Sequence, residues 1–218
     1  MNSFDEIRNL YTKSHVEHGD TPAALLTPKD RHEQRFRPIL EMLQSHNVKS
    51  LLDYGCGLGQ LRAYLDEMNV NIEYTGWDIT PSFIMSCQSR FGTASRFEIV
   101  DPEAQPSEHF DMVVCSGVFN LSISDDLNES LEYVLKRIEQ LLSITDEVFI
   151  CDFLSSFVDF KQDRAQHIQI EKIAHWLVSC GHRRFVFRHD VLPYEYTVIV
   201  YKDDLVDKVR NVYFEDNP

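Results

Sequence analysis

A chain of 218 residues, 43% hydrophobic and 11% aromatic, carries enough apolar surface for one sizeable core, which excludes a disordered or collagen-like polymer. Its 35 acidic residues outnumber 21 Lys and Arg and leave a formal net charge of −14. Such a field repels phosphate backbones and anionic membrane surfaces, so neither nucleic acid nor membrane is an expected partner.

The first thirty residues contain Gly19-Asp20-Thr21-Pro22 and Thr27-Pro28, turn chemistry that sets a short N-terminal helix apart from the body. Residues 1–28 are therefore expected to form a lid segment and residues 29–218 the domain. The charge mix at 29–37 reads as a solvated helix face. Apolar residues then recur at helical spacing in Phe36, Ile39, Leu40 and Leu43, before a strand at 49–54.

From there strands and helices alternate. Strands are expected at 72–78, 96–100, 110–116, 147–153, 184–188 and 195–201. Short helices follow Gly59 and Pro81, and amphipathic ones run through Leu127, Leu131, Leu135, Ile138 and Leu142, then through Ile170, Ile173, Ala174, Leu177 and Val178. Alternation of this kind is the signature of a parallel sheet covered on both faces. The connection between the last two strands is too short for a crossover helix, so that pair should be antiparallel.

The five cysteines, Cys56, Cys87, Cys115, Cys151 and Cys180, form no CxxC pair and no Cys/His cluster. They read as buried free thiols of a reducing compartment, with no resident metal. The N-terminus lacks the basic and apolar regions of a signal peptide, and no apolar run approaches the ~20 residues of a membrane span, so a cytoplasmic location is expected.

The segment Asp53-Tyr54-Gly55-Cys56-Gly57-Leu58-Gly59 joins the first sheet strand to a helix. Glycines let a backbone turn tightly and approach a ligand closely, and the helix N-terminus beyond offers free amide donors, so a nucleotide-like ligand fits. A dinucleotide fingerprint, GxGxxG, would need glycine at position 60. Gln60 stands there, which argues against an NAD-dependent oxidoreductase.

Asp-x-Gly-x-Gly-x-Gly at this place resembles the first motif of the class I S-adenosylmethionine-dependent methyltransferases. Asp78 ends the second strand in Gly76-Trp77-Asp78-Ile79, where the family places its ribose-binding acid, and a carboxylate there can accept from both ribose hydroxyls. Asp101-Pro102 after the third strand resembles the site that meets adenine. Phe110-Asp111-Met112-Val113-Val114-Cys115-Ser116-Gly117-Val118-Phe119-Asn120 resembles the fourth strand and the loop bordering the methyl group. The resemblance implies an α/β fold with a Rossmann-like, seven-stranded, mostly parallel sheet, helices on both faces and a C-terminal antiparallel strand pair.

It also implies S-adenosylmethionine as cofactor, bound by Asp53, Gly55, Cys56, Gly57, Asp78, Ile79, Asp101, Pro102, Ser116 and Gly117; from the residues themselves, the Tyr11 hydroxyl is expected to meet its amino-acid end, joined by Gln34 or Arg35 of the next helix. The acceptor would lie on the rim at the strand ends, near Phe119, Asn120, His189 and Tyr194. Ser155, Ser156, Asp190 and Glu195 share that rim, and Tyr11, His15 and His18 belong to the lid. No residue stands out as a catalytic base. The Asn/Asp-Pro-Pro-aromatic motif of DNA amino-methylating enzymes is absent, with Ser116-Gly117-Val118-Phe119 in its place. Three readings compete: a small-molecule O- or N-methyltransferase, a protein or peptide methyltransferase, and a silent donor-binding module. Fold analogy alone does not separate them.

Overall fold

A computed structural model of the chain describes residues 3–26 and 29–203, so the Thr27-Pro28 turn lies outside the described residues. After helix α1 (Ser3–His18), a 3-10 turn (Pro22–Leu25) and α2 (Lys29–Ser45), the body runs β1 (Ser50–Tyr54), α3 (Gln60–Glu67), β2 (Glu73–Asp78), α4 (Pro81–Phe91) and β3 (Arg96–Ile99). It continues with β4 (Phe110–Cys115), α5 (Leu127–Ser143), β5 (Thr145–Ser155), β6 (His167–Ile168), α6 (Ile170–Ser179), β7 (Phe185–Leu192) and β8 (Glu195–Tyr201). The sheet order is β3-β2-β1-β4-β5-β8-β7.

The five strands β3, β2, β1, β4 and β5 are parallel, and β8 inserts antiparallel between β5 and β7. This is the expected architecture. The sequence pattern missed β6, a two-residue strand that pairs with the end of β5, because two residues carry no periodicity.

Both faces of the sheet are buried, which is why its strands read as nearly continuous apolar runs. Leu52, Val113, Phe149 and Phe153 pack under Val134, Ile138 and Leu141 of α5 and Ile173 and Leu177 of α6. Their chain neighbours Leu51, Met112, Val148 and Ile150 face the other way, against Ile39 of α2, Leu61 and Leu65 of α3 and Ile84 of α4. At the start of α5 the Asp126 side chain accepts from the Asn128 amide, a cap that fixes where this crossover helix begins.

Two sequence readings need correction. The solvated face expected at 29–37 holds for Arg31 and Arg37, but Arg35 is buried, because it has a carboxylate partner described below. Four of the five cysteines are buried free thiols, whereas Cys180, at the end of α6, is exposed. Among the described residues no helix is long and apolar enough to cross a membrane, and no group of His, Cys, Asp and Glu could hold a metal ion.

Candidate functional site

The strand order reverses direction at β1 and β4, and in open α/β sheets a crevice forms beyond the C-terminal strand ends at such a point. A cavity of about 380 Å³ lies there, lined from the ends of β1, β2, β4 and β5 and from the N-terminal segment. Its floor is the glycine turn. Gly55 and Gly57 have φ of 80° and 55°, backbone that an L side chain rarely adopts. A Cβ on Gly55 would stand 2.5 Å from a Val118 methyl carbon, and one on Gly57 2.9 Å from a methyl carbon of Leu25.

The turn is tied to β2. The Gly55 and Cys56 amides donate to the Trp77 carbonyl at 2.7 and 3.0 Å, and the Gly57 amide donates to Asp78 Oδ2 at 2.9 Å. Asp78 Oδ1 accepts from the Thr80 amide at 2.8 Å. The carboxylate thus shapes the turn and borders the cavity at once. Burial pushes its pKa up, against the pull of the amides that favour the charged form.

Asp53, one turn-length earlier, is buried and accepts from the Tyr74 hydroxyl. Burial raises its carboxyl to about 7, with the Tyr74 hydrogen bond opposing and the charge of Asp78 adding to the rise. A group whose folded pKa lies above its unfolded value holds extra protons in the folded state, so its contribution to stability is full at low pH and is lost as pH rises through the folded value. The ligand-free protein should therefore lose stability as pH climbs from the ordinary carboxylate range to about 7. Asp53→Asn should flatten that slope in thermal melts followed across pH. An unchanged slope would remove Asp53 as its source.

Beyond β4, the Ser116 hydroxyl donates to Asp152 Oδ2 at 2.8 Å and the Gly117 amide to Oδ1 at 2.7 Å. Asp152, in β5, thereby fixes the loop that forms one wall. Opposite stands Arg35 of α2, whose Nε and Nη2 donate to the two Glu195 oxygens at 2.5 and 2.8 Å. Its remaining Nη1 lies 3.0 Å from where a Gly117 Cβ would be, so a side chain there would press on it. Both partners of the fork are buried, at 7% and 4% exposure. Burial pushes the Asp152 pKa up while Arg35 draws it down.

The N-terminal segment closes the top. Phe4, Ile7 and Tyr11 of α1, with Leu25 and Leu26, line the cavity. Tyr11 packs edge-on against Phe83, and burial beside Asp78 pushes its hydroxyl up to about 12. Arg8 Nε donates to the Ile79 carbonyl at 3.0 Å, and the His15 ring bridges Ser82 at 2.9 Å and Asp20 at 2.7 Å. These contacts seat α1 on the start of α4.

The cavity unites most of the sequence candidates: Tyr11, Arg35, Asp53, Gly55, Cys56, Gly57, Asp78, Ile79, Pro102, Ser116, Gly117, Phe119 and Asn120 all line it. Asp101 does not. Its carboxylate accepts from the Glu103 amide, the turn-capping use of an Asp before Pro, while Val100 and Pro102 on either side face the cavity. His189 lies exposed in β7 against Phe157, and the Tyr194 hydroxyl donates to Asp159 at the surface. Neither lines the cavity. Asp152 went unnoticed in the sequence, where only its interruption of an apolar run marked it.

The glycine cradle, the acid at the end of β2 and the loop after β4 are the parts that an adenosyl donor needs: close backbone approach, a hydroxyl acceptor and a wall beside the methyl group. The comparisons agree. A family model described as a methyltransferase domain matches residues 52–145. A Mycobacterium tuberculosis protein provisionally named a methyltransferase, Rv1506c, is 27% identical over 157 residues, covering 70% of this chain and 93% of that protein.

Among solved structures, magnesium protoporphyrin IX methyltransferase from Synechocystis PCC 6803 with bound SAH is similar at a TM-score of 0.63 and 18% identity, covering 93% of this chain and 96% of that one. The plantazolicin methyltransferase BpumL, in complex with a triazolic desmethylPZN analog and SAH, is similar at 0.60 and 15% identity, covering 91% and 99%. With the motif order and the cavity described above, these likenesses lead to one assignment: residues 52–145 match a methyltransferase domain, in a chain with the fold of the S-adenosylmethionine-dependent methyltransferases.

Proposed function

We propose that the enzyme methylates a nitrogen or oxygen nucleophile of a small molecule held between the loop after β4 and the N-terminal segment. The observation that carries this reading is Asn120. It lines the cavity, and its side-chain oxygen is buried with no hydrogen-bond partner. A buried acceptor left unpaired is costly, and an N–H or O–H of the methyl acceptor would satisfy it. Phe4, Ile7, Phe119 and Leu121, which line the same cavity, suit an apolar body.

The donor supplies an electrophilic methyl group on a sulfonium. On this reading Asp78 accepts from its ribose, Val100 and Pro102 flank its adenine, and Asp53, Ser116, Gly117 and the free edge of Arg35 meet its amino-acid end. The protein's contribution is placement and exclusion of water, which together supply much of the acceleration of an in-line displacement. Asn120 orients the nucleophile without removing its proton, since a carboxamide oxygen is a weak base. The neighbouring enzymes named for magnesium protoporphyrin IX and plantazolicin are consistent with acceptors that enter such a cavity as discrete molecules. The same reading places the protein among soluble, cytoplasmic enzymes.

Residues 1–28 act as a lid on this proposal. Phe4, Ile7, Tyr11, Leu25 and Leu26 have to part from the glycine turn before a donor can enter, and lids of this kind come from the less stable end of a structure. A single experiment tests donor and lid together. S-adenosylhomocysteine at about 100 times its Kd should stabilise the protein by ~2.7 kcal/mol, NAD should not, and hydrogen exchange of the lid should slow in the complex. Melting curves unmoved by the first or moved equally by both would sink the donor assignment. Equal exchange with and without ligand would sink the lid.

A further inference from the structure

Arg137, in the middle of α5, is among the described residues the largest side chain to be almost wholly buried, at 1% exposure. Its Nε donates to the Tyr54 hydroxyl at 2.9 Å, and its Nη1 donates to the Ala104 carbonyl at 2.7 Å and to Gln140 Oε1 at 2.9 Å. The guanidinium also lies over the Tyr54 ring, 4.9 Å from its centroid. Among the described residues no carboxylate pairs with it, and its Nη2 has no partner.

A cation buried without a counter-charge is a poor way to stabilise a core, because apolar residues of similar size usually do as well or better. What the guanidinium does provide is two fixed directions across the chain. One holds the end of β1, where Tyr54 leads into the glycine turn. Another holds the loop after β3, which from 101 to 109 is exposed except at Pro102 and Pro106. A third link runs through α5 itself, since Tyr133, one turn earlier, lines the cavity and its hydroxyl donates to the Pro102 carbonyl at 3.4 Å. Arg137 and Tyr133 thus pin to one helix the loop whose buried proline faces the cavity.

We infer that Arg137 is a positioning residue for recognition of the adenine base. It acts by holding the backbone of 102–104 at a fixed distance from the glycine turn. The inference rests on the reading that adenine lies along Val100 and Pro102. Arg137 does not line the cavity, so its effect passes through Ala104 and Tyr54. A loop held only by Tyr133 would still let the base in, yet its backbone groups would no longer match the adenine edge.

Calorimetric titration with S-adenosylhomocysteine and with S-inosylhomocysteine, in which the 6-amino group is replaced by an oxo group, separates this role from a purely structural one. The wild-type protein should prefer the adenosyl ligand. Arg137→Met should weaken that ligand about tenfold, the loss of one charged hydrogen bond's worth of ordering, and leave the inosyl ligand nearly unchanged, so that the preference collapses. Arg137→Lys, which keeps the charge but loses the planar fork, should fall between and covers the case in which the Met variant does not fold. Unaltered affinity for S-adenosylhomocysteine, or equal weakening of both ligands together with a lowered melting temperature, would overturn the inference. If wild-type protein binds S-adenosylhomocysteine without preferring it, the inference fails with the adenine placement. Failure to bind it at all is a separate result and removes the donor reading itself.

Discussion

Replacing Arg35 by Met is expected to destabilise the protein by ~3–5 kcal/mol, the range found when one partner of a buried ion pair is removed. Arg35 lies between two buried carboxylates, the Glu195 fork and Asp152, whose charge also acts on it. Its loss leaves both without a buried counter-ion, and Arg31, exposed and 3.9 Å from Glu195, replaces little of it. A loss of this size is a large share of the 5–15 kcal/mol that typical domains possess. Chemical denaturation measures it directly. The double variant Arg35→Met with Glu195→Leu should recover a good part, because packing two apolar groups avoids the stranded charge. If the single variant lost under ~1 kcal/mol, the pair would be a solvent-screened contact and not the buried one described.

Gly55→Ala should abolish useful donor binding while leaving a folded protein. The added methyl meets strain at φ 80°, worth roughly 1–2 kcal/mol for an L residue in left-handed backbone. It also meets the Val118 methyl carbon at 2.5 Å. Val118 would have to move into the cavity it lines, and the alanine would occupy the surface a ligand must approach. Donor affinity is expected to fall on the order of a hundredfold, or ~2.7 kcal/mol. Gly57→Ala is the internal comparison: its Cβ presses on the flexible end of Leu25 and otherwise makes ordinary contact with Gln60, so the loss there should be smaller. Calorimetry with S-adenosylhomocysteine on both variants decides it, and equal affinities in wild type and Gly55→Ala would show that the turn does not contact the ligand.

The parts of this site that could be read in the sequence share one property: they are local. The run from Asp53 to Gly59 announces a strand, a turn and a helix within seven residues, and Asp78 follows at a spacing set by one helix and one strand. Strand periodicity placed every long strand to within a few residues, although β7 extends to Leu192 where a shorter strand was expected. Contacts made across the chain left no such trace. Asp152 interrupts an apolar run, but nothing near it says that the Ser116–Gly117 loop is its partner. Arg35 looked like one more charge on a solvated face because Glu195, 160 positions away, cannot be seen from any local window. Arg137 was hidden in the same manner among the polar positions of α5. His189 and Tyr194 were placed on the rim by topology alone, and only their contacts with Phe157 and Asp159 show that they lie outside the cavity.

The position of β8 has a consequence for how the enzyme comes into being. The glycine turn, Asp78 and the Ser116–Gly117 loop all emerge from the ribosome well before Glu195, which opens β8, and among the described strands β5 and β7 are joined only through it. A nascent chain lacking that strand exposes the edge of β5 and carries Arg35 beside a single acid. Edges left unpaired during synthesis invite aggregation, and pairings this distant in sequence form late. Arg35 and Glu195 therefore meet only after some 160 further residues have been made, so the wall of the cavity is completed by β8.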